Sequence, residues 1–290
     1  MIVRSTWLHL RIPFSFFLLP IYLFALSVAE DFSTIDALLI FFILHFSLYP
    51  ASNGYNSFFD KDEGSIGGLE HPPPVQLELY RVSLLLDVVA IILGLIVSVE
   101  FAIMLFIYGM VSKAYSHPSI RLKKYAIGSW LVAGFFQGFF TFLMVYVGVN
   151  ETSLLFSQPP EMWLGATLAS LMLWGSYPMT QIYQHDEDAK RGDFTLSYRL
   201  GVLGTFHFTA IFFGLATLGF WLYYRIYFGE LLAGLYLTSL LPVLGYFSYW
   251  YIRAREDRSR ADFRHTMRLN FLSSLCLNLF FGLMVIWDWI

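Results

Sequence analysis

The chain has 290 residues, of which 57% are hydrophobic and only 13% charged, and its formal net charge is −3. A soluble domain carries about 25% charged residues, so this composition excludes a water-soluble globule, and with no basic face to hold a phosphate backbone it also excludes nucleic acid as a partner. The single cysteine, Cys276, excludes an internal disulfide and any cysteine-based zinc site, and within its apolar stretch it reads as a packing residue.

A membrane helix needs roughly 20 apolar residues. At the N-terminus Arg4 and Arg11 precede an apolar run, and Ser27-Val28-Ala29 resembles a signal-peptidase site. The run is long enough to span a bilayer and more follow it, so it reads as a retained first helix over 13–29, divided at Pro20. The next runs cover 36–52, 82–99, 101–115 and 125–149, with a tight turn near Glu100. Four more cover 162–183, 203–224, 231–252 and 270–287. The expected architecture is all-α: one polytopic membrane domain over 1–290, with about nine transmembrane helices around a cavity opening at the cytoplasmic face.

Lys and Arg concentrate on cytoplasmic loops. With the N-terminus inside, the inner set is Arg4, Arg11, Lys61, Arg81, Lys113, Arg121, Lys123, Lys124, Lys190, Arg191 and Arg199. The connection from helix eight to helix nine adds Arg253, Arg255, Arg258, Arg260, Arg264 and Arg268, and only Arg225 falls outside. The outer connections are short and several carry only acids: Glu30, Asp31, Glu151 and Glu161. The long polar connections are all inner, so function is expected at the cytoplasmic face of the inner membrane.

Two inner connections are acidic. The first reads Asn53-Gly54-Tyr55-Asn56-Ser57-Phe58-Phe59-Asp60-Lys61-Asp62-Glu63-Gly64. Asn56 and Asp60 are four apart and share a face if the helix continues to them. Carboxylates and an amide oxygen are hard ligands suited to Mg²⁺, which completes its shell with water and substrate phosphates. A solvated acidic loop would look the same. The second runs from Gln184 through His185, Asp186, Glu187 and Asp188 to Asp193, with Gln184 and Asp188 again four apart. Two such clusters after helices two and six suggest one shared mouth. Between them lies Tyr115-Ser116-His117-Pro118-Ser119-Ile120-Arg121-Leu122-Lys123-Lys124, whose cations serve either as membrane anchors or as a diphosphate clamp. His185 reads as a surface histidine or a general base, His45 and His207 as packing residues, and Asp87 as either a functional intramembrane acid or one that reaches water.

These three segments resemble the UbiA superfamily of intramembrane prenyltransferases. Asn56 and Asp60 match the first two positions of its Asn-x-x-x-Asp-x-x-x-Asp motif. Asp188, Gly192, Thr195 and Leu196 match its second motif, and Tyr115, Ser116, Pro118, Arg121, Leu122 and Lys123 match the segment between. The resemblance covers essentially the whole chain. It departs at Gly64 and Gln184, where the family has Asp, and at Glu70–Pro74, where the family often has a basic residue.

The resemblance implies Mg²⁺-dependent transfer of a prenyl group from a prenyl diphosphate to an acceptor, an aromatic or quinone precursor among the candidates, with release of diphosphate. It implies Asn56, Asp60 and Asp188 as metal-site residues, with Asp62, Glu63, Gln184 and Asp186 behind them. It implies Arg121 and Lys123 as catalytic cations, and Asn56, Tyr115, Ser116, Arg121 and Lys123 as substrate-binding residues. The alternative is a silent or repurposed member that binds a lipid diphosphate. A transporter fits less well, because transporter sites lie near the midplane, and a lipid phosphoalcohol transferase lacks its Asp-Gly-x-x-Ala-Arg pattern here.

The charge asymmetry makes a topological prediction. In intact cells an impermeant thiol reagent should label a cysteine placed after Trp289 and spare one at Ser65. Labelling of Ser65 from outside would reverse the map.

Overall fold

In a computed structural model, which describes residues 2–29, 32–150 and 152–287, the chain is helical almost throughout. Glu30, Asp31, Glu151 and the region after Trp289 lie outside the described residues. The helices are α1 (Arg4–Leu10), α2 (Leu19–Val28), α3 (Thr34–Asp60), α4 (Leu77–Val97), α5 (Val99–Ser116) and α6 (Ala126–Val149). They continue as α7 (Pro160–Ser176), α8 (His185–Arg191), α9 (Leu196–Tyr227), α10 (Glu230–Glu256) and α11 (Phe263–Trp287). Among the described residues the only strand is the two-residue Phe194–Thr195.

Among the described residues the apolar runs are largely helical, and seven helices are long and apolar enough to cross a membrane. An eighth span results if Arg4–Phe17 and Leu19–Val28 count as one, bent by 42°. The bend precedes Pro20, which sits in the first turn of α2, where its missing N–H costs no helical bond. The run at 162–183 forms α-helix only over the 17 residues of α7 and then tightens into a 3₁₀ turn at Tyr177–Gln181, which contains Pro178.

The chain divides into two compact units, of which the first is Met1–Phe16, Ala29–Lys124 and Met144–Ser157. Here α3 contains a π-turn at Ile43–Leu48, directly before Pro50. Proline removes one helical N–H bond, and the widened turn accommodates that loss. The helix therefore continues well past residue 52, to Asp60. It stops where Lys61 turns left-handed (φ 50°), with the Lys61 N–H bonded to the Ser57 carbonyl at 3.0 Å. Helices α4 and α5 meet at Ser98, whose hydroxyl accepts from the Phe101 N–H at 3.0 Å. Asp87 of α4 and Lys113 of α5 form an ion pair, with side chains 13% and 14% exposed. Lys113 also stands over the Tyr55 ring, 5.3 Å from its centroid. The intramembrane acid thus has its cation on the next helix.

The second unit is Phe17–Val28, Tyr125–Leu143 and Gln158–Ile290. Its core is aromatic: Phe24 lies 5.0 Å from Phe142, 5.0 Å from Phe220 and 4.9 Å from Phe281 by ring centroid. Helix α6 has a π-turn at Phe135–Phe140, and Ser170 of α7 serves it twice. The Ser170 hydroxyl donates to the Gly134 carbonyl at 2.8 Å and accepts from the Phe139 N–H at 2.9 Å. Gly138 permits this approach, since a Cβ there would lie 2.5 Å from the Ser170 Cα. Cys276 is free and buried, and His207 bonds the Tyr251 hydroxyl at 3.0 Å. His45, in the first unit, bonds the Phe41 carbonyl at 3.1 Å. Cys276 and His45 are buried packing residues, whereas His207 is exposed and is not one.

A buried ion pair stripped of one partner typically loses about 3–5 kcal/mol, whereas replacing both partners with apolar groups costs little. Lys113→Leu should therefore lower the melting temperature in detergent sharply, and Asp87→Leu with Lys113→Leu should recover most of the loss. Equal melting of the single and double variants would show that the pair does not bear on stability.

Candidate active site

The first cluster is built where α3 ends. Asn56 and Asp60 lie one turn apart, and the Asn56 amide donates to Asp60 Oδ2 at 2.7 Å. The same amide nitrogen donates to the Ser116 hydroxyl of α5 at 2.9 Å. Asp60 Oδ1 is paired with the Lys123 ammonium, the side chains being 6% and 9% exposed. Four of the residues singled out in the sequence, Asn56, Asp60, Ser116 and Lys123, therefore form one bonded group. The backbone explains why Lys123 arrives there. The chain leaves α5 at Ser116 and turns back through a bond from the Arg121 N–H to the His117 carbonyl at 2.7 Å, with Arg121 left-handed at φ 46°. A short 3₁₀ turn, Leu122–Lys124, follows and buries Lys123. Lys124 stays exposed, and Tyr115 and Arg121 are half-buried. The left-handed Lys61 ends the helix before Asp62 and Glu63, so the four-residue spacing of Asn56 and Asp60 does not extend to them.

The second cluster is carried by α8. Gln184 sits at its N-cap, and its carbonyl accepts from the Asp188 N–H at 2.9 Å, so the two lie one turn apart. Asp186 is exposed, and Glu187 pairs with Arg191 at 3.3 Å. Gly192, left-handed at φ 72°, ends the helix, and the Asp193 N–H returns to the Asp188 carbonyl at 2.9 Å. Asp188 Oδ2 accepts from the Thr195 hydroxyl at 3.2 Å, and Thr195 Oγ1 in turn caps α9 by accepting from the Tyr198 N–H at 3.3 Å. Phe194 and Thr195 pair in parallel with Tyr125 and Ala126, the residues that follow the basic segment in the chain.

His185 is half-buried and bonded. Its Nε2 bonds Ser197 Oγ at 2.8 Å. Burial lowers its pKa below the ordinary value, and the neighbouring Asp186 carboxylate opposes that shift. Ser197 and Thr205, both fully buried, escaped the sequence reading. A serine and a threonine on an apolar helix give no signal of the bonds they make.

Among the described residues no three His, Cys, Asp or Glu side chains gather into a metal-binding group. The oxygen donors that are present suit Mg²⁺ nonetheless. Each cluster offers a carboxylate and an amide residue one turn apart, and Mg²⁺ takes one or two carboxylates with water and phosphate rather than an all-protein cage.

The sequence matches the UbiA prenyltransferase family over residues 17–275. A UbiA homologue from Aeropyrum pernix K1, solved in its apo form, aligns over 100% of both chains with a TM-score of 0.68 at 18% identity. A UbiA homologue from Archaeoglobus fulgidus, bound to GPP and Mg²⁺, aligns over 97% of this chain and 99% of its own, with a TM-score of 0.66 at 13% identity. Digeranylgeranylglyceryl phosphate synthase aligns over 97% and 96%, with a TM-score of 0.60 at 19% identity. No curated protein matches. With its apolar helices and a match across most of its length, this integral membrane protein belongs to the UbiA prenyltransferase family.

Proposed function

We propose that the protein transfers a prenyl group from a prenyl diphosphate to a small acceptor, releasing diphosphate, and that it does so with Mg²⁺. The observation that carries this reading is the bonded group of Asn56, Asp60, Ser116 and Lys123. It joins a carboxylate, an amide and a cation in a nearly buried setting, which is what a metal-bound diphosphate requires. The fold likeness to a homologue bound to GPP and Mg²⁺ supports the same class of donor and cation.

Asn56, Asp60 and Asp188 would hold Mg²⁺, with Asp62, Glu63, Gln184 and Asp186 as further oxygen donors. When bound, the metal supplies positive charge to the leaving diphosphate. Lys123 and Arg121 add their own charge to the same oxygens, and Tyr115 and Ser116 help seat them. The allylic carbon–oxygen bond breaks with its electron pair going to the diphosphate. The acceptor then forms its bond to that carbon and gives up a proton. Apolar helices keep water from the allylic cation, and aromatic faces stabilise it. The active-site loops and the N-terminus are assigned to the cytoplasmic side on the charge asymmetry.

This reading asks both acidic clusters to serve one diphosphate. In a Cys276→Ser background, Lys61→Cys with Ala189→Cys should be joined by a short bis-maleimide within one chain. Two exposed positions that cannot be joined would separate the clusters and defeat it.

Asp60→Asn and Asp188→Asn should each slow transfer by at least about 100-fold, equivalent to about 2.7 kcal/mol of transition-state stabilisation. Arg121→Ala should slow it less, and chelation should abolish it until Mg²⁺ is restored. Melting measurements separate lost chemistry from lost folding. Metal-independent transfer, or full activity in both Asn variants, would sink the assignment.

The other reading is a protein that binds a lipid diphosphate without turnover. Gly64 and Gln184 favour it, since each replaces a family carboxylate. Gln184→Asp discriminates between the two. It should tighten Mg²⁺ binding and raise the rate if Gln184 faces the metal, whereas a silent binder gains affinity and still releases no diphosphate.

A further inference from the structure

His185 opens α8, and the bonds beyond it run in one direction only. The Gly201 carbonyl can only accept, and Thr205 Oγ1 donates to it at 2.8 Å. With that proton committed, the 3.1 Å contact between Ser197 Oγ and Thr205 Oγ1 uses the serine hydrogen. Ser197 Oγ is then the acceptor in its 2.8 Å contact with His185 Nε2. His185 therefore donates from Nε2, whether its ring is neutral or charged. The chain runs from His185 to Ser197 to Thr205 to the carbonyl of Gly201.

That carbonyl marks a structural break. Gly201 has φ 67° and ψ 177° inside α9, a conformation that favours glycine, and it divides the stub Leu196–Leu200 from the main helix. The hydrogen bonds thus tie together the start of α8, the stub and the body of α9. A second tie lies one turn further along α8, where the Thr195 hydroxyl holds Asp188 Oδ2. A helix of seven residues needs such ties, because isolated helices shorter than about 12–15 residues are marginal.

We propose that His185 is a positioning residue for the second acidic cluster: through Ser197 and Thr205 it anchors α8 to the Gly201 break and sets the direction in which Asp188 presents its carboxylate. The anchoring stands on these bonds alone. What Asp188 binds rests on the proposed function.

Two measurements on the purified full-length protein test it: hydrogen exchange of the amides of residues 186–192, and Mn²⁺ affinity by electron paramagnetic resonance. His185→Phe should speed α8 exchange about tenfold and weaken Mn²⁺ binding about tenfold, since each factor of ten is about 1.4 kcal/mol. His185→Gln, whose amide nitrogen reaches about as far as Nε2, should stay within about threefold of the wild type. Ser197→Ala removes one hydroxyl with little risk to folding, and it should speed α8 exchange by itself. Added to His185→Phe it should change little, because both variants cut the same chain. Unchanged exchange in His185→Phe and Ser197→Ala, a Gln variant no better than Phe, or fully additive effects would overturn the proposal. If exchange responds as described while the wild type binds no Mn²⁺, the anchoring stands and the metal role of Asp188 falls.

Discussion

A carboxylate held away from water must find positive charge, and the first unit is arranged around two places where one does. Asp60 meets Lys123 at the end of α3, and Asp87 meets Lys113 between α4 and α5. Each pair joins residues far apart in the chain, so each fixes how neighbouring segments lie. The Lys113 ammonium also faces Tyr55, the residue before Asn56, and Ser116 lies one turn beyond Lys113 and bonds Asn56. The amide of Asn56 and the carboxylate of Asp60 are consequently presented by packing that the two lysines hold in register.

Two of the helix interruptions have a small polar side chain bonded to the loosened backbone. Ser170 serves the wide turn of α6 through both its donor and its acceptor. Thr205 bonds the Gly201 carbonyl and, across the break, the Ser197 carbonyl, and Thr195 both caps α9 and holds Asp188. In an apolar surround an unmet backbone group is costly. At those two breaks a small polar side chain occurs with the loosened backbone, and Thr195 brings the second acidic cluster beside the stub of α9.

Much of this was legible in the sequence. Low charge and long apolar runs gave the helical membrane fold, because bilayer thickness dictates run length. The four-residue spacing of Asn56 and Asp60 placed them on one face, and the extended α3 keeps them there. The end of that helix was harder to read, since Pro50 and the polar residues after it resemble a loop. A π-turn that accommodates proline has no sequence signature of its own. Lys123 was marked as a cation, but its pairing with Asp60 depends on the left-handed turn at Arg121, a conformation that arginine rarely adopts. The bonds of Ser197 and Thr205 left no trace in the sequence, because nothing in an apolar helix distinguishes a hydroxyl that closes a network from one that bonds its own backbone.

The π-turn at Ile43–Leu48 has a geometric effect downstream. Helical residues follow one another at about 100° around the axis, from about 3.6 residues per turn. A π-turn accommodates one extra residue, so it shifts the phase of everything after it by about that angle. The azimuth of Asn56 and Asp60 is therefore inherited from a segment two or more turns earlier, and a helical wheel drawn from Thr34 through Asp60 in one phase assigns them to the wrong side. Deleting a single residue within 43–48 would take out the extra residue together with the wide turn and leave Asp60 at its present azimuth, whereas deleting one from the regular helix between Tyr49 and Asn56 would swing its carboxylate away from Lys123 by about 100°.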